Sequence, residues 1–190
     1  MIDALLDALP QTQCRQCGCA GCEQYARAIA DGAPINRCAP GGTAGISRLA
    51  AITHRPEIPL DPDYGTEAPL ALAAIDSRRC IGCRLCAKAC PVDAVTGAPK
   101  RLFAVIEDWC TGCALCLPAC PMDCIHLVDA HRPWTTSDAR RSRQRFEAKK
   151  ARLAAKTREI NARSHTSASQ KSAVMADVLA QLAARRRAVS

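Results

Sequence analysis

Short segments with a helical spacing of apolar side chains occupy the first third of the chain. Residues 1–9 predict a helix that ends at Pro10, and residues 43–53 predict another. Between them, residues 23–30 place their apolar side chains on one face. We therefore expect a small helical domain at residues 1–53.

Apolar segments of strand length characterise the middle of the chain. They lie at residues 70–75, 92–97, 102–106 and 124–128. Residues 54–69, which precede them, are rich in proline and predict a linker. We expect the strands to form a second small domain at residues 70–131, so the predicted fold class is α+β.

A basic segment, residues 132–190, follows the predicted strands. One apolar side chain recurs per heptad in its first part, at Ala139, Phe146, Leu153 and Ile160. This spacing is too sparse for a core and predicts a solvated helix, followed by a polar, flexible stretch at residues 164–172. A short amphipathic helix is expected at residues 174–182. The segment is therefore predicted to be a helical or disordered tail.

The charge of the chain is divided between these regions. Residues 1–131 carry 11 basic and 14 acidic side chains, a net charge of −3, whereas residues 132–190 carry 15 basic and 4 acidic, a net charge of +11. No apolar run approaches the roughly eighteen residues of a membrane helix. We expect a cytoplasmic protein whose basic tail can contact a membrane surface peripherally, or an acidic redox partner.

Twelve of the fourteen cysteines fall into three sets. Two sets are copies of one run: Cys80-x2-Cys83-x2-Cys86-x3-Cys90-Pro91 and Cys110-x2-Cys113-x2-Cys116-x3-Cys120-Pro121. This is the spacing of bacterial two-cluster ferredoxins, in which the fourth cysteine of each run binds the other cluster. The predicted ligands are Cys80, Cys83, Cys86 and Cys120 for one [4Fe–4S] cluster, and Cys110, Cys113, Cys116 and Cys90 for the second. The chemistry that these runs predict is one-electron transfer.

Structural zinc is the alternative for these runs, but zinc sites usually combine two well-separated Cys-x2-Cys pairs. Four cysteines within eleven residues, repeated after thirty residues, favour iron–sulfur clusters. Aliphatic side chains near the runs are expected to shield the clusters from water: Ile81, Leu85, Val92, Leu115, Leu117 and Ile125.

The remaining cysteine set lies in the predicted helical domain. Its spacing is Cys14-x2-Cys17-x4-Cys22-x15-Cys38. This spacing alone leaves a [4Fe–4S] cluster and zinc both open. The first N–H groups of the helix at residues 23–30 are expected to face the bound group, where the helix dipole favours negative charge. Cys19 and Cys124 lie outside the three sets, and we expect both to be small packing residues.

Longer motifs surround all three cysteine sets. Those of the N-terminal set are Leu9-Pro10-Gln11-Thr12-Gln13-Cys14-Arg15-Gln16-Cys17-Gly18, Gly21-Cys22 and Ile35-Asn36-Arg37-Cys38-Ala39-Pro40-Gly41-Gly42. Those of the two runs are Cys80-Ile81-Gly82-Cys83, Ala89-Cys90-Pro91-Val92-Asp93-Ala94, Cys110-Thr111-Gly112-Cys113 and Cys120-Pro121-Met122-Asp123-Cys124-Ile125. Over residues 2–131 this combination resembles the B subunit of the Rnf-type ion-translocating electron transport complex.

The resemblance implies a [4Fe–4S] cluster on Cys14, Cys17, Cys22 and Cys38, and therefore three clusters that relay single electrons. It implies a protein electron donor and acceptor, such as a reductase, a flavoprotein or membrane electron-transport subunits. Members of that family usually carry a membrane helix before the first cysteine set, and we do not expect one here. We expect no catalytic residues and no flavin or nicotinamide site, because no Walker loop or dinucleotide fingerprint occurs.

An alternative function is that of an iron–sulfur or zinc protein associated with nucleic acid through the basic tail. The tail interleaves few aromatic side chains with its cations, since only Trp134 and Phe146 occur in it. Base stacking is therefore poorly supported, and we expect specific nucleic-acid binding to be absent. Electron relay is the function that the sequence favours.

Overall fold

The computed structural model describes residues 1–188 and confirms the α+β fold class. The helices are α1 (Ile2–Ala8), α2 (Cys22–Ala30), α3 (Gly42–Thr53), α4 (Leu85–Ala89) and α5 (Thr136–Ala188). The strands are β1 (Ala71–Ile75), β2 (Val95–Gly97), β3 (Phe103–Val105) and β4 (Ile125–Asp129). The chain divides into two units, Met1–Lys149 and Lys150–Ser190.

Helices α1, α2 and α3 share one apolar core, and residues 1–53 are called the helical module below. Leu5, Ile29 and Leu49 are almost completely buried in it. The buried hydroxyl of Tyr25 donates to the carbonyl of Pro34 at 3.0 Å and accepts from the amide of Arg37 at 2.9 Å. A large aromatic ring is buried here without leaving its polar group unpaired.

The proline-rich segment at residues 54–69 is held against the helical module by hydrogen bonds. The Asn36 side-chain amide donates to the carbonyl of Pro59 at 2.7 Å, and the Asn36 backbone carbonyl accepts from the amide of Asp61 at 3.0 Å. The guanidinium of Arg55 donates to the carbonyl of Ala33 at 2.8 Å. Because proline has no N–H to donate, these contacts use the Asn36 side chain, the Arg55 side chain and the backbone amide of Asp61.

Two small antiparallel sheets build the strand module, residues 70–131. Strand β1 pairs with β4 from Ala71↔Asp129 to Ile75↔Ile125, so the first and last strands lie side by side. Strands β2 and β3 form the other sheet. The strand expected at residues 92–97 begins only at Val95, because the chain turns at Asp93, where φ is 54°. The β1–β4 pair thus brings the two ends of the strand module together, and both cysteine runs lie between these strands in the sequence.

Helix α5 is longer and more continuous than the sequence pattern predicts. It runs through residues 164–172, where we expected a flexible stretch, and through the short helix expected at 174–182. No glycine or proline occurs between residues 136 and 188, so no residue of the segment strongly breaks a helix. Among residues 1–188, no helix has both the length and the apolar character needed to cross a membrane.

The first turn of α5 is fixed by a reciprocal capping arrangement. The Asp138 amide donates to the Thr135 hydroxyl at 3.2 Å, and the Thr135 amide donates to the Asp138 carboxylate at 2.9 Å. The same carboxylate pairs with Arg132 at 2.9 Å and with Arg141 at 2.5 Å, although its side chain is almost completely buried. Several polar contacts therefore fix the residue at which α5 begins.

Residues 132–149 contact both modules. On the helical module, Trp134 Nε1 donates to the Pro10 carbonyl at 2.9 Å, and the Ser142 hydroxyl donates to the Gln11 carbonyl. On the strand module, the Lys149 ammonium donates to the carbonyls of Ala87, Lys88 and Cys90 at the end of α4. These carbonyls have no hydrogen-bond partner within α4, so the lysine supplies their donor. Its positive charge also interacts favourably with the negative C-terminal end of the helix dipole.

Asp138→Asn is expected to lower the free energy of unfolding by about 1–2 kcal/mol at neutral pH, because the cap and both ion pairs weaken. Burial disfavours the charged form, but hydrogen bonds from Thr135 and Arg132 outweigh it and lower the pKa of Asp138. Because the pKa is lower in the folded state, the ionised carboxylate stabilises the folded protein at pH values above the unfolded-state pKa. This stabilisation is lost as the pH falls through the folded-state pKa. Urea unfolding should therefore show the difference between the two proteins at pH 7 and a smaller one near pH 3. An equal difference at both pH values would contradict this assignment.

Candidate iron–sulfur site

A glycine in each cysteine run makes a close backbone approach to another part of the strand module. A Cβ on Gly82, at φ 69°, would lie 2.5 Å from the carbonyl oxygen of Arg101. A Cβ on Gly112, at φ 66°, would lie 2.4 Å from the carbonyl oxygen of Ala71 in β1. Both loops therefore need glycine for their conformation and for space. The glycines seat each loop against a strand or hairpin and so position its cysteines.

The structure brings together the crossed combinations of cysteines that the spacing predicts. One cavity is lined by Cys80, Cys83, Cys86 and Cys120, which are called the Cys80 group below. Another is lined by Cys90, Cys110, Cys113 and Cys116, called the Cys110 group. The fourth cysteine of each run thus lies with the first three of the other run. Cys90 directly follows helix α4, and Cys120 follows a turn.

Backbone amides and burial shape the electrostatics of these thiols. The amide of Ala94 donates to Cys90 Sγ at 3.2 Å, and that of Ala73 in β1 donates to Cys110 Sγ at 3.5 Å. Burial raises the pKa of Cys116 to about 12, and the nearby thiols of its own group raise it as well. Burial also raises the pKa of Cys86. Four such thiols ionise together only when cations supply the compensating charge.

The donor chemistry fits a four-iron cluster. Among the residues that the structure describes, no group of three or more His, Cys, Asp or Glu side chains is arranged to hold a single metal ion. In a four-iron cube each thiolate binds a different iron, so the sulfurs surround a larger body than one ion. All-thiolate donor sets with N–H groups directed at sulfur suit such a cluster.

The N-terminal cysteine set is organised by two buried glutamines. Gln13 Oε1 accepts from the amide of Cys22 at 3.0 Å, and Gln13 Nε2 donates to Gln11 Oε1 at 3.0 Å. The Gln11 amide group in turn donates to the carbonyl of Leu6 in α1. The Cys22 amide, one residue before the helix predicted at residues 23–30, is thus directed to the Gln13 side chain. A chain of side-chain hydrogen bonds therefore supports this loop.

The four cysteines of the N-terminal set also lie close together. Burial raises the pKa of Cys22 to about 12, and the thiols of Cys14 and Cys17 raise it further. Burial raises the pKa of Cys38 as well, and the thiols of Cys22, Cys14 and Cys17 add to this effect. Through-space effects between thiols require neighbouring groups. Cys22 and Cys38 also lie in the apolar core of the helical module, with Cys17 packed against it, so the fold gathers the four thiols although Cys38 is distant in sequence.

The N-terminal set is adjacent to the Cys110 loop. The Thr111 hydroxyl donates to the carbonyl of Thr12 at 2.9 Å, and both residues are buried. Cys14 and Cys113 line one shared cavity, together with Trp134. One hydrogen bond thus links the loop before Cys14 to the loop between Cys110 and Cys113.

Several expected packing residues behave differently. Val92 and Ile125 are buried beside the cysteines as predicted, but Ile81 is 58% and Leu85 40% exposed, so the prediction that these two exclude water is wrong. They lie on the surface side of the Cys80 loop. Cys124 is buried, with its sulfur 3.4 Å from that of Cys120.

Several residues that support the cysteine groups were not predicted from the sequence. Gln11, Gln13 and Thr111 were visible only as parts of motifs, without a structural role. Arg145 was missed as well: it stacks on the Trp109 ring, with its guanidinium carbon 3.2 Å from the ring centroid, and donates to the Val92 carbonyl at 2.9 Å. A buried polar residue beside a cysteine was the available signal for the glutamines, but sequence alone does not disclose burial.

Two family models match the chain at these sites. Residues 73–127 match the 4Fe-4S dicluster domain, and residues 9–40 match a model described as a putative Fe-S cluster. Together with the fold, these matches define an iron–sulfur protein with a two-cluster ferredoxin domain.

Curated relatives make the resemblance more specific. The chain is 52% identical over 98 residues to the B subunit of the ion-translocating oxidoreductase complex of Azoarcus sp.. The matched residues make up 51% of this chain and 54% of that protein. It is 54% identical over 97 residues to the corresponding protein of Thiobacillus denitrificans, covering 50% of each chain. The predicted resemblance is thereby confirmed, and the chain spans about half the length of the curated relatives it matches. These names and domains support an iron–sulfur electron-transfer role and do not support association with nucleic acid.

Proposed function

We propose that this protein relays single electrons through three [4Fe–4S] clusters. The observation that carries the proposal is the gathering of twelve cysteines into three groups of four. A [4Fe–4S] cluster supplies a site that accepts and gives up one electron. The protein supplies thiolates, N–H groups and a largely buried environment.

The proposed ligands follow the three groups. They are Cys14, Cys17, Cys22 and Cys38; Cys80, Cys83, Cys86 and Cys120; and Cys90, Cys110, Cys113 and Cys116. The proposed division of the chain is a helical module at residues 1–53, a linker at 54–69, the strand module at 70–131 as a two-cluster ferredoxin domain, and a basic segment at 132–190. Cys19 and Cys124 are proposed to pack beside the ligands.

We propose that the Cys110 group is the intermediate site of the relay. The buried hydrogen bond from Thr111 to the Thr12 carbonyl supports this order, since it joins the loops of two groups directly. The Cys80 group would then be the terminal site, because Cys83 is exposed at the surface. Residues of the helical module do not line the cavity around the Cys80 group.

The partners are proposed to be redox proteins: a reductase, a flavoprotein or membrane electron-transport subunits. The names of the relatives, which are subunits of an ion-translocating oxidoreductase complex, support the last of these. The described side chains at residues 150–164 are all exposed and mostly basic or small. Peripheral contact of this segment with an anionic membrane is therefore proposed, on the cytoplasmic side.

The number of clusters is testable by metal analysis. Protein purified or reconstituted without oxygen is expected to contain about twelve irons and about twelve sulfides per chain, and to take up about one electron per cluster reversibly. Inductively coupled plasma spectrometry and anaerobic titration with dithionite would measure both. Zinc in place of iron in protein purified from its own cells would contradict the function. About eight irons would contradict the third cluster alone.

Partner identity is testable by affinity purification of the tagged protein from its own cells, with membranes solubilised under anaerobic conditions. Membrane redox subunits are expected among the proteins recovered, and a variant lacking residues 150–190 is the control for the basic segment. Recovery of soluble flavoproteins alone would contradict assembly with a membrane complex.

A further inference from the structure

The surface around Cys83 differs from that around the other cysteines. Among the fourteen cysteines, all of which lie in the described part of the chain, Cys83 alone is exposed, and the others are buried or half-buried. Three large apolar side chains are exposed around it: Ile81 at 58%, Leu85 at 40% and Met122 at 37%. Ile81, Cys83 and Met122 line the same cavity, and the exposed Leu85 lies only two residues after Cys83 in the sequence.

A ring of cations borders this apolar surface. Arg84 lines the cavity beside Cys83, and Arg79 donates to the Met122 carbonyl at 2.7 Å. The Lys100 amide donates to the Gly82 carbonyl at 3.2 Å, and the Arg101 backbone lies against the same glycine. All four basic side chains are exposed. The hairpin between β2 and β3 therefore brings two cations to the Cys80 loop from a distant part of the sequence.

The net charge of the sequence around Cys83 is opposite in sign to the net charge of residues 1–131 as a whole. Residues 76–101 carry six basic and two acidic side chains, whereas residues 1–131 as a whole have a net charge of −3. Asp123, next to Met122, is an acidic neighbour, and Asp76 accepts from the Arg78 amide at 2.9 Å. The eleven residues from Cys110 to Cys120 include no charged side chain. Positive charge is thus concentrated around the loop that contains the exposed cysteine.

We infer that this surface, formed by Ile81, Leu85 and Met122 with Arg79, Arg84, Lys100 and Arg101, docks an acidic redox protein. It is called the docking face below. An apolar centre with a charged rim is the usual anatomy of a protein interface, and complementary charge accelerates the encounter. A protein is favoured over an anionic membrane because Cys83, a proposed cluster ligand, is exposed on this face, and a lipid headgroup cannot receive an electron there. The inference rests on the proposed electron relay and names the partner class for its terminal site.

The test uses the full-length holoprotein and two soluble probes of opposite charge: a strongly acidic flavodoxin and a basic cytochrome c. Arg84→Glu combined with Arg101→Glu reverses two charges of the docking face. Arg27→Glu combined with Arg140→Glu changes the net charge equally, at exposed positions outside both the docking face and the segment at residues 150–164. Dissociation constants are measured by calorimetry at low and high ionic strength, and electron transfer to each probe by stopped flow.

The docking-face variant is expected to bind flavodoxin on the order of tenfold more weakly at low ionic strength, with much less difference in high salt. The control pair should stay within about twofold of the unaltered protein. Transfer to cytochrome c should not fall in the docking-face variant. Arg84→Gln with Arg101→Gln, expected to give a smaller loss of affinity, serves if the charge reversal prevents folding.

Equal weakening by both variant pairs would overturn the inference, since net charge rather than the face would then control binding. So would unchanged flavodoxin affinity in a variant with full iron content. Binding of vesicles containing phosphatidylserine that is lost in the docking-face variant, without any effect on flavodoxin, would assign the face to a membrane instead. Failure of the protein to bind iron or to be reduced would contradict the proposed relay itself and is detected before any partner is added.

Discussion

Cys22→Ser is expected to remove about one third of the bound iron while leaving the two cysteine groups of the strand module loaded. Cys22 begins α2 and is buried among Cys14, Cys17 and Cys38. A serine hydroxyl retains its proton far more strongly than a thiol, so it is a poor ligand at a buried position. Loss of this ligand leaves three thiols, which hold a four-iron cluster less well.

Cys19→Ser is the matched control for this substitution, because Cys19 lies in the same loop but outside the proposed ligand set. Iron and sulfide analysis should give about eight irons for Cys22→Ser and about twelve for Cys19→Ser. Electron paramagnetic resonance of the reduced proteins would identify which cluster signal is missing. Iron loss in Cys19→Ser with full retention in Cys22→Ser would exchange the roles of the two cysteines.

Gly112→Ala is expected to destabilise the strand module by about 3 kcal/mol or more and to reduce iron binding by the Cys110 group. A methyl group at this position would lie 2.4 Å from the backbone carbonyl oxygen of Ala71. Because that oxygen belongs to strand β1, it cannot move without disturbing the β1–β4 pairing. The substitution also places a side chain at φ 66°, which adds a smaller strain.

Gly32→Ala separates the two effects of the Gly112 substitution. Gly32 also has a positive φ, 106°, but an added Cβ would meet nothing within 4 Å. This control is expected to cost only about 1–2 kcal/mol, from backbone strain. Urea unfolding under anaerobic conditions, followed by circular dichroism and iron content, would measure both variants. Equal destabilisation by the two substitutions would show that steric contact with β1 is not the cause.

The three groups of cysteines illustrate what spacing alone can predict. A Cys-x2-Cys-x2-Cys-x3-Cys run is local, so its ligand geometry is encoded by the loop and its neighbouring turns. The exchange of Cys90 and Cys120 between runs follows from the same pattern, and the structure brings those groups together. The boundaries of helices α2 and α3 were likewise predictable, because apolar periodicity reports the face that packs on a core.

Predictions failed where a residue's environment depends on distant parts of the chain. The exposure of Ile81 and Leu85 could not be read from their hydrophobicity, because it depends on which side of the Cys80 loop meets the core. The hydrogen bond between the Cys22 amide and the Gln13 side chain, nine residues earlier, was likewise not predicted. In both cases a contact between separate parts of the chain decided the outcome.

The sequence by itself determined the kind of site, the fold class and the resemblance to one iron–sulfur component of Rnf-type complexes, because these depend on cysteine spacing and short periodic patterns. Tertiary structure alone decided how the sites are joined. The bond from Thr111 to Thr12, the contacts of Trp134 and Lys149 with the two modules, and the cations around Cys83 join residues separated by many positions. Such pairings arise only when the folded chain buries apolar surface and must satisfy the polar groups buried with it.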